Sequence, residues 1–400
     1  MSILAAKGFV AGGAAVGIKE SGAKDLTIIA GNGPSTLSAA AVFTTNRLQA
    51  APVQVSRRHM GQPQAIKAVV VSSGNANAAT GPQGLLDAEA MCSATATQLG
   101  CLPEQVLVCS TGGIGQPLPI DTVLSGIATV AGQLGASADH AQAAAEGILT
   151  TDTRTKQAVA KIDRPDGSVL NVGGMTKGAG MIAPAMATML AFITTDAPVD
   201  TIWWQSTLSA AVDETFNSAS IDGCTSTNDT VIALASGAAG GDPIDGDHPL
   251  ASALAEALTD VCRSLAWQIL RDGEGVSVLA TVSVTGARDA RDAKLAANAV
   301  ANSLLVKCSL LGRDPYWGRV LSETGASGAD FDPADSSVSY GGHIVSSGGV
   351  ACAHDENAVA AHMQTDHIQI AVNLGDGPGA AHAYMTDLGY AYLDENKGTS

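Results

Sequence analysis

A chain of 400 residues with a net charge of −17 and only 4% aromatic residues offers neither the basic face that a phosphate backbone needs nor a platform on which bases stack, which excludes a nucleic-acid partner. By size it holds two or three domains, with a core filled by alanine, valine and leucine. Its seven cysteines are widely spaced with no C-x-x-C, so neither a disulfide framework nor a zinc ribbon is expected. The start of the chain lacks a basic leader, and the longest apolar stretch, 181–195, is too short to span a bilayer. A soluble cytoplasmic protein with no membrane partner is expected.

In chain order, glycine turns and short apolar runs over 8–31 predict a strand at 26–30. The runs at 39–46 and 68–81 predict two more buried strands, the second ending in a polar loop with Asn75 and Asn77. Those amides suit either a turn or a cluster facing a ligand. Helical spacing over 82–99 places Leu85, Leu86, Ala90 and Met91 on one face, with Gly100 as the stop. A strand at 106–109 runs into Ser110-Thr111-Gly112-Gly113. A threonine hydroxyl beside a glycine N–H gives two adjacent donors of the kind an acyl-transfer oxyanion requires, although a glycine turn closing a strand is the plainer account. An alanine-rich helix over 136–149 leads to Thr150-Thr151-Asp152, and a short strand follows at 168–172.

The next segment, 173–196, reads GGMTKGAGMIAPAMATMLAFITTD. It is a glycine-dense loop that passes Lys177, Pro184 and Ala187-Thr188 and then becomes a buried strand. Beyond it come a helix at 201–216, a hydroxyl-rich loop at 222–230 and a strand at 231–235. The Gly-, Asp- and Pro-rich run 237–249 reads as a linker. A long helix over 250–270 leads to Glu274, flanked by glycines, and to an alternating strand at 276–284. A helix over 289–311 precedes Asp314 and Arg319, which read as a buried structural pair. Strands at 337–340 and 367–374 complete a smaller α/β unit. His362 and His367 are out of helical phase for a shared metal, and none is expected.

Thr188 stands where the glycine loop meets the rigid strand. A threonine hydroxyl needs a base, and cutting the peptide bond before it frees an α-amine on the same residue. Such an amine titrates near about pH 8, so much of it can accept the hydroxyl proton at neutral pH. The γ-methyl narrows χ1, and the preceding glycines allow the strained backbone that attack on the preceding carbonyl requires. The expectation is self-cleavage between Ala187 and Thr188, which makes Thr188 a catalytic N-terminus.

KGAGMIAPAMATML resembles the self-cleavage signature of the ornithine acetyltransferase family, the glutamate N-acetyltransferases of arginine biosynthesis, and the likeness runs from Gly8 to Asn396. The resemblance implies an α/β fold, an N-terminal-nucleophile-like αββα sandwich with a smaller C-terminal α/β subdomain. Cleavage would divide the chain into 1–187 and 188–400, with 188–287 completing the sandwich and 288–400 forming the subdomain. It also implies a ping-pong cycle in which Thr188 takes acetyl from N-acetylornithine and gives it to glutamate. No cofactor is implied, and acetyl-CoA is a candidate second donor.

Ser110-Thr111-Gly112 resembles the family's Ser-Thr-Gly-x-Ile-Gly motif, which assigns the oxyanion hole to Thr111 and Gly112. Substrate contacts carry over to Thr188, to one of Thr150 and Thr151, to Lys177 as holder of a carboxylate, to Glu274 as partner of an amine, and to Asn396 and Ser400. Two departures stand out: Tyr316 replaces the usual asparagine of Gly-x-Asp-Pro-Asn-Trp-Gly-Arg, and the tail from Asn396 to Ser400 is one residue short and lacks the family's tyrosine. Self-assembly of two copies of each piece is implied. The competing readings are a self-cleaving amidase or aminopeptidase with water as acceptor, and a non-catalytic small-ligand binding protein.

Overall fold

The computed structural model describes all residues except Met1, Ser35, 63–64, 185–188 and 398–400. In chain order the strands are Phe9–Ala14 (β1), Leu26–Gly31 (β2), Ser38–Phe43 (β3), Ala68–Asn75 (β4), Val106–Gly113 (β5), Lys156–Asp163 (β6), Val169–Lys177 (β7), Leu190–Thr195 (β8), Ala219–Ser220 (β9), Thr230–Ala235 (β10), Leu279–Ala287 (β11), Ser337–Tyr340 (β12), His343–Ser347 (β13), Val350–Ala351 (β14), His367–Asn373 (β15) and Gly379–Thr386 (β16). They fall into two units. One comprises Met1–Gly178, Thr188–Phe216 and Ser226–Ile269; the other comprises Ala179–Ala187, Asn217–Thr225 and Leu270–Ser400.

The first unit holds two sheets, in the orders β1-β2-β4-β5 and β3-β10-β8-β7-β6. Alternation decides what each face does. Val69, Val71, Leu107 and Cys109 of the first sheet share a buried cluster with Met175, Leu190, Phe192, Ile232 and Leu234 of the second. The intervening residues Ala68, Val70, Val106 and Val108 turn the opposite way, onto helices Ala51–Met60, Gly81–Leu99 and Ile120–Ala131. On the outer face of the second sheet, Trp204 of helix Thr201–Glu214 donates its indole N–H to the Ala233 carbonyl at 3.1 Å. Val261 and Leu265 of helix Ala251–Arg271 close on Gly174, where an added Cβ would lie 2.8 Å from Val261. The layers are helix, sheet, sheet and helix, which is the α/β sandwich that the family resemblance implies.

The second unit carries one mixed sheet in the order β14-β13-β12-β15-β11-β16-β9. Its core joins Val282, Val284, Val338, Ile370, Val372 and Met385 to the apolar face of helix Ala290–Asn302. The unit begins before residue 288, because β11 pairs with β15 and β16 here and takes no part in the sandwich. The run 237–249 is not a linker between units. It lies within the first, where Ile244 is buried and exchanges backbone bonds with Pro198 and Asp200.

Three local expectations change. Helix Gly81–Leu99 has the expected left-handed Gly100 cap but buries Gly84, Asp87, Ala88, Met91, Cys92, Thr95 and Ala96, while Leu86 is 58% exposed. Small side chains let that face approach the sheet closely. The stretch 289–311 is two helices, Ala290–Asn302 and Leu304–Leu311, because Ser303 leaves helical geometry and caps the second through its Oγ. Asp314 and Arg319 are not a buried pair. Asp314 is exposed, while Arg319 donates to the Leu305 carbonyl and lies 4.9 Å from the Tyr316 ring centroid.

Among the described residues no helix is long and apolar enough to cross a membrane. Lys307 is fully buried in the second unit and donates to the carbonyls of Ser220 at 3.2 Å and Thr386 at 3.1 Å. Burial lowers its ammonium to about 7, against the pull of Asp222 and Asp387. The unfolded chain keeps this proton up to about pH 10, so above about pH 7 the unfolded state binds more protons and folding gains stability as pH rises. Denaturant unfolding from pH 7 to 10 should show wild type gaining on Lys307→Met as pH increases. A constant gap would contradict the assignment.

Candidate active site

Alternation extends the inner face of β5 from Leu107 and Cys109 to Thr111, and that of β7 from Met175 to Lys177. Both side chains therefore end in the space between the sheets, each 3% exposed, and Lys177 Nζ donates to Thr111 Oγ1 at 3.2 Å. An ammonium cannot accept, so this bond uses a lone pair of the hydroxyl oxygen and leaves the threonine proton to point at a third group. Gly112 pairs with Gly74 of β4 at φ +135°, and a Cβ there would lie 2.3 Å from the Gly74 carbonyl carbon. Only glycine fits so close an approach of two backbones.

Behind Lys177 lies Asp152. Asp152 and Lys156 form an ion pair at 2.5 Å with both side chains 0% exposed. The same Asp152 oxygen, Oδ1, accepts from Gly178 N–H at 2.7 Å, and Oδ2 accepts from Thr150 N–H at 3.0 Å. One carboxylate thus ties the Thr150 backbone to the end of β7. Thr150 is half-buried and Thr151 exposed. Burial would raise the Asp152 carboxyl, but the charges of Lys177 and Lys156 and the Gly178 N–H outweigh it and hold it at about 2.

In the second unit, Glu274 and Asn396 meet: Asn396 Nδ2 donates to Glu274 Oε2 at 2.8 Å. Glu274 N–H donates to the Ala179 carbonyl at 2.8 Å, and a Cβ on Gly180 would lie 2.5 Å from Glu274 Oε2. Gly275, at φ +65°, lets helix Tyr390–Asn396 approach to a distance at which a Cβ would lie 2.2 Å from Tyr392 N. Asp222 accepts from Met181 N–H and Ile182 N–H, and from the Tyr392 hydroxyl at 3.1 Å. Ala187, Thr188 and Ser400 lie outside the described residues.

Asn75 and Asn77 belong to a turn and not to a ligand-facing cluster. Asn75 donates to the carbonyls of Gln116 and Pro117 and accepts from Asn77 N–H, while Asn77 donates to the Gly84 carbonyl and accepts from Thr80. A separate polar cleft of about 600 Å³ in the first unit is lined by Arg58, His59, Glu89, Cys92 and Glu104. Its thiol, Cys92, is pushed up by burial, so the cleft presents no activated nucleophile.

Sequence reasoning missed Asp152, Lys156, Asn228 and Asp229. Asp152 and Lys156 stand at the entry to β6, and Asn228 and Asp229 at the entry to β10, places where a polar side chain that becomes buried must find a partner. With its carboxyl titrating at about 2 against about 3.9 unfolded, Asp152 stabilises the fold above pH 4 and loses that contribution as pH falls toward 2. The acid-sensitive part amounts to about 2 kcal/mol. In thermal unfolding the advantage of wild type over Asp152→Asn should therefore shrink between about pH 4 and 2. An advantage that does not change with pH would show that the carboxylate is not held low.

The ArgJ family model matches residues 10–398. "Arginine biosynthesis bifunctional protein ArgJ" of Thermosynechococcus vestitus is 41% identical over 98% of this chain and 96% of its own length. The protein of that name from Symbiobacterium thermophilum is 44% identical over 98% and 97%. A crystal structure of arginine biosynthesis bifunctional protein argJ from Bacillus halodurans superposes with a TM-score of 0.50 and 37% identity, covering 52% of this chain and 98% of its own. With similarity along almost its full length, the chain belongs to the ArgJ family of acyltransferases.

Proposed function

We propose that this enzyme of arginine biosynthesis cuts itself between Ala187 and Thr188 and then moves an acetyl group from N-acetylornithine to glutamate through acetyl-Thr188. The observation that carries the reading is the bond from Lys177 Nζ to Thr111 Oγ1 at the end of β5. It orients a buried hydroxyl so that its proton is available to an incoming oxyanion, next to a glycine that the backbone geometry requires. Two-chain maturation has independent support: the Bacillus halodurans chain, matched over 98% of its length, corresponds to only 52% of this one. That is the share expected of a single piece.

In this mechanism the α-amine of Thr188 takes the proton from its own Oγ, which attacks the acetyl carbonyl of N-acetylornithine. Thr111 Oγ–H and Gly112 N–H stabilise the tetrahedral oxyanion. As it collapses, the C–N bond breaks and the proton held on the Thr188 amine passes to the leaving nitrogen, releasing ornithine. Glutamate enters and its amine attacks the ester carbonyl; as the C–O bond breaks, the proton lost by that amine passes through the Thr188 amine to Oγ and restores the free hydroxyl. Lys177, one of Thr150 and Thr151, Glu274, Asn396 and Ser400 hold the amino-acid ends of both substrates. Acetyl-CoA would acylate the same Thr188, a second donor that suits relatives named bifunctional. Two copies of each piece form the working assembly.

Intact-mass analysis of purified protein should show two pieces, the second beginning at Thr188, with an acetyl adduct on that second piece after N-acetylornithine is added. Thr188→Ala should give one uncut chain without transfer. One uncut but active wild-type chain would overturn the reading. Thr111→Val should lower kcat about 100- to 1,000-fold, the cost of losing one oxyanion donor, with Thr111→Ser restoring most of it. Unchanged kcat in Thr111→Val would exclude this hydroxyl.

A further inference from the structure

We infer that the adjacent residues Asn228 and Asp229 are the positioning element that sets the nucleophile against the oxyanion hole. This rests on the reading of Thr188, Thr111 and Gly112 given above. Both residues are buried in the first unit, immediately before β10. Asn228 Nδ2 donates to the carbonyls of Ala76 at 2.7 Å and Ser110 at 2.8 Å, and Ser110 directly precedes Thr111. Asp229 Oδ1 accepts from the N–H of Met189, which directly follows Thr188, at 3.2 Å. Thr230 N–H donates to the Met189 carbonyl, also at 3.2 Å, so Met189 is held at both of its backbone groups.

The geometric consequence follows from the chain itself. Consecutive Cα atoms across a trans peptide are about 3.8 Å apart, so two neighbouring residues that grip two strands fix the spacing between those strands. Here the gripped points lie one residue before Thr111 and one residue after Thr188. The β8–β10 and β4–β5 ladders hold each strand within its own sheet, whereas this dipeptide runs from one sheet to the other.

Asp229 also looks unlike a residue kept for packing. Among the described residues its other oxygen, Oδ2, is buried without a hydrogen-bond partner. Burial pushes the carboxyl well above its usual range, only partly offset by Met189 N–H, the Ser226 and Thr44 hydroxyls and the charge of Lys177. An orphaned buried polar atom destabilises the fold. A leucine, branched at the same carbon, would avoid that cost but could not accept from Met189.

The test compares wild type with Asp229→Leu, Asp229→Asn and Asn228→Ala, each purified by size exclusion and checked for a cooperative melt. Self-cleavage of the precursor and the kcat and KM of transfer are then measured. A displaced nucleophile costs about ten- to 100-fold. Asp229→Leu and Asn228→Ala should lower both the cleavage rate and kcat by that factor while leaving KM for N-acetylornithine within about two-fold, and Asp229→Asn, which keeps a carbonyl facing Met189, should recover most of the loss. The inference is overturned if folded Asp229→Leu and Asn228→Ala cleave and turn over like wild type, or if Asp229→Asn is as slow as Asp229→Leu. It is also overturned if no variant lacking these groups folds, since the pair would then be a determinant of the fold. A wild type that neither cleaves nor carries acetyl on Thr188 would instead defeat the underlying reading.

Discussion

In place of water, the Asp152 carboxylate has Lys156 Nζ, the Gly178 N–H and the Thr150 N–H, all within 3.0 Å of a side chain with no exposed surface. A buried charge of this kind is tolerated only while every partner stays in place, and removing one partner of such a pair typically costs about 3–5 kcal/mol. The requirement passes outward through the structure. Gly178 fixes the end of β7, the end of β7 fixes Lys177, and Lys177 sets which way the Thr111 proton can point. One ion pair thus converts the rigidity of the sandwich into the orientation of a single hydroxyl.

Much of the frame was legible because a strand buried on both faces reads as a continuous apolar run, as in β4, β5, β8 and β10. The signal was weak where composition breaks the run. β1 is FVAGGA, with two glycines among six residues, and β6 is KQAVAKID, an edge strand with several exposed positions. The face of helix Gly81–Leu99 was misread because leucines draw attention, whereas close packing here selects glycine and alanine. The break at Ser303 is a single cap inside an otherwise continuous apolar pattern, which sums of propensity do not detect.

The site divides in a similar way. Pairs far apart in sequence and identified separately, Thr111 with Lys177 and Glu274 with Asn396, are in direct hydrogen-bond contact. Local motifs name such residues, but they do not say that the lysine reaches the threonine, nor that a carboxylate stands behind it. Those facts depend on which faces of β5 and β7 oppose each other, and that follows only once the sheets are stacked. Asn75 and Asn77 show the reverse case. Their loop carries every mark of a ligand site, yet their amide groups are committed to neighbouring backbone and to Thr80.

Helix Tyr390–Asn396 has no buried residue. Polar bonds fasten it to its unit, from Tyr392 to Asp222, from Gly275 N–H to Glu395 and from Asn396 to Glu274. Bonds of this sort contribute about 1 kcal/mol each, so the segment can peel away for a few kcal/mol while the sheet beneath stays intact. Amide protons there would exchange with solvent far sooner than those of β11 or β15. A helix held this lightly can open beside the Glu274 carboxylate without disturbing the sheet.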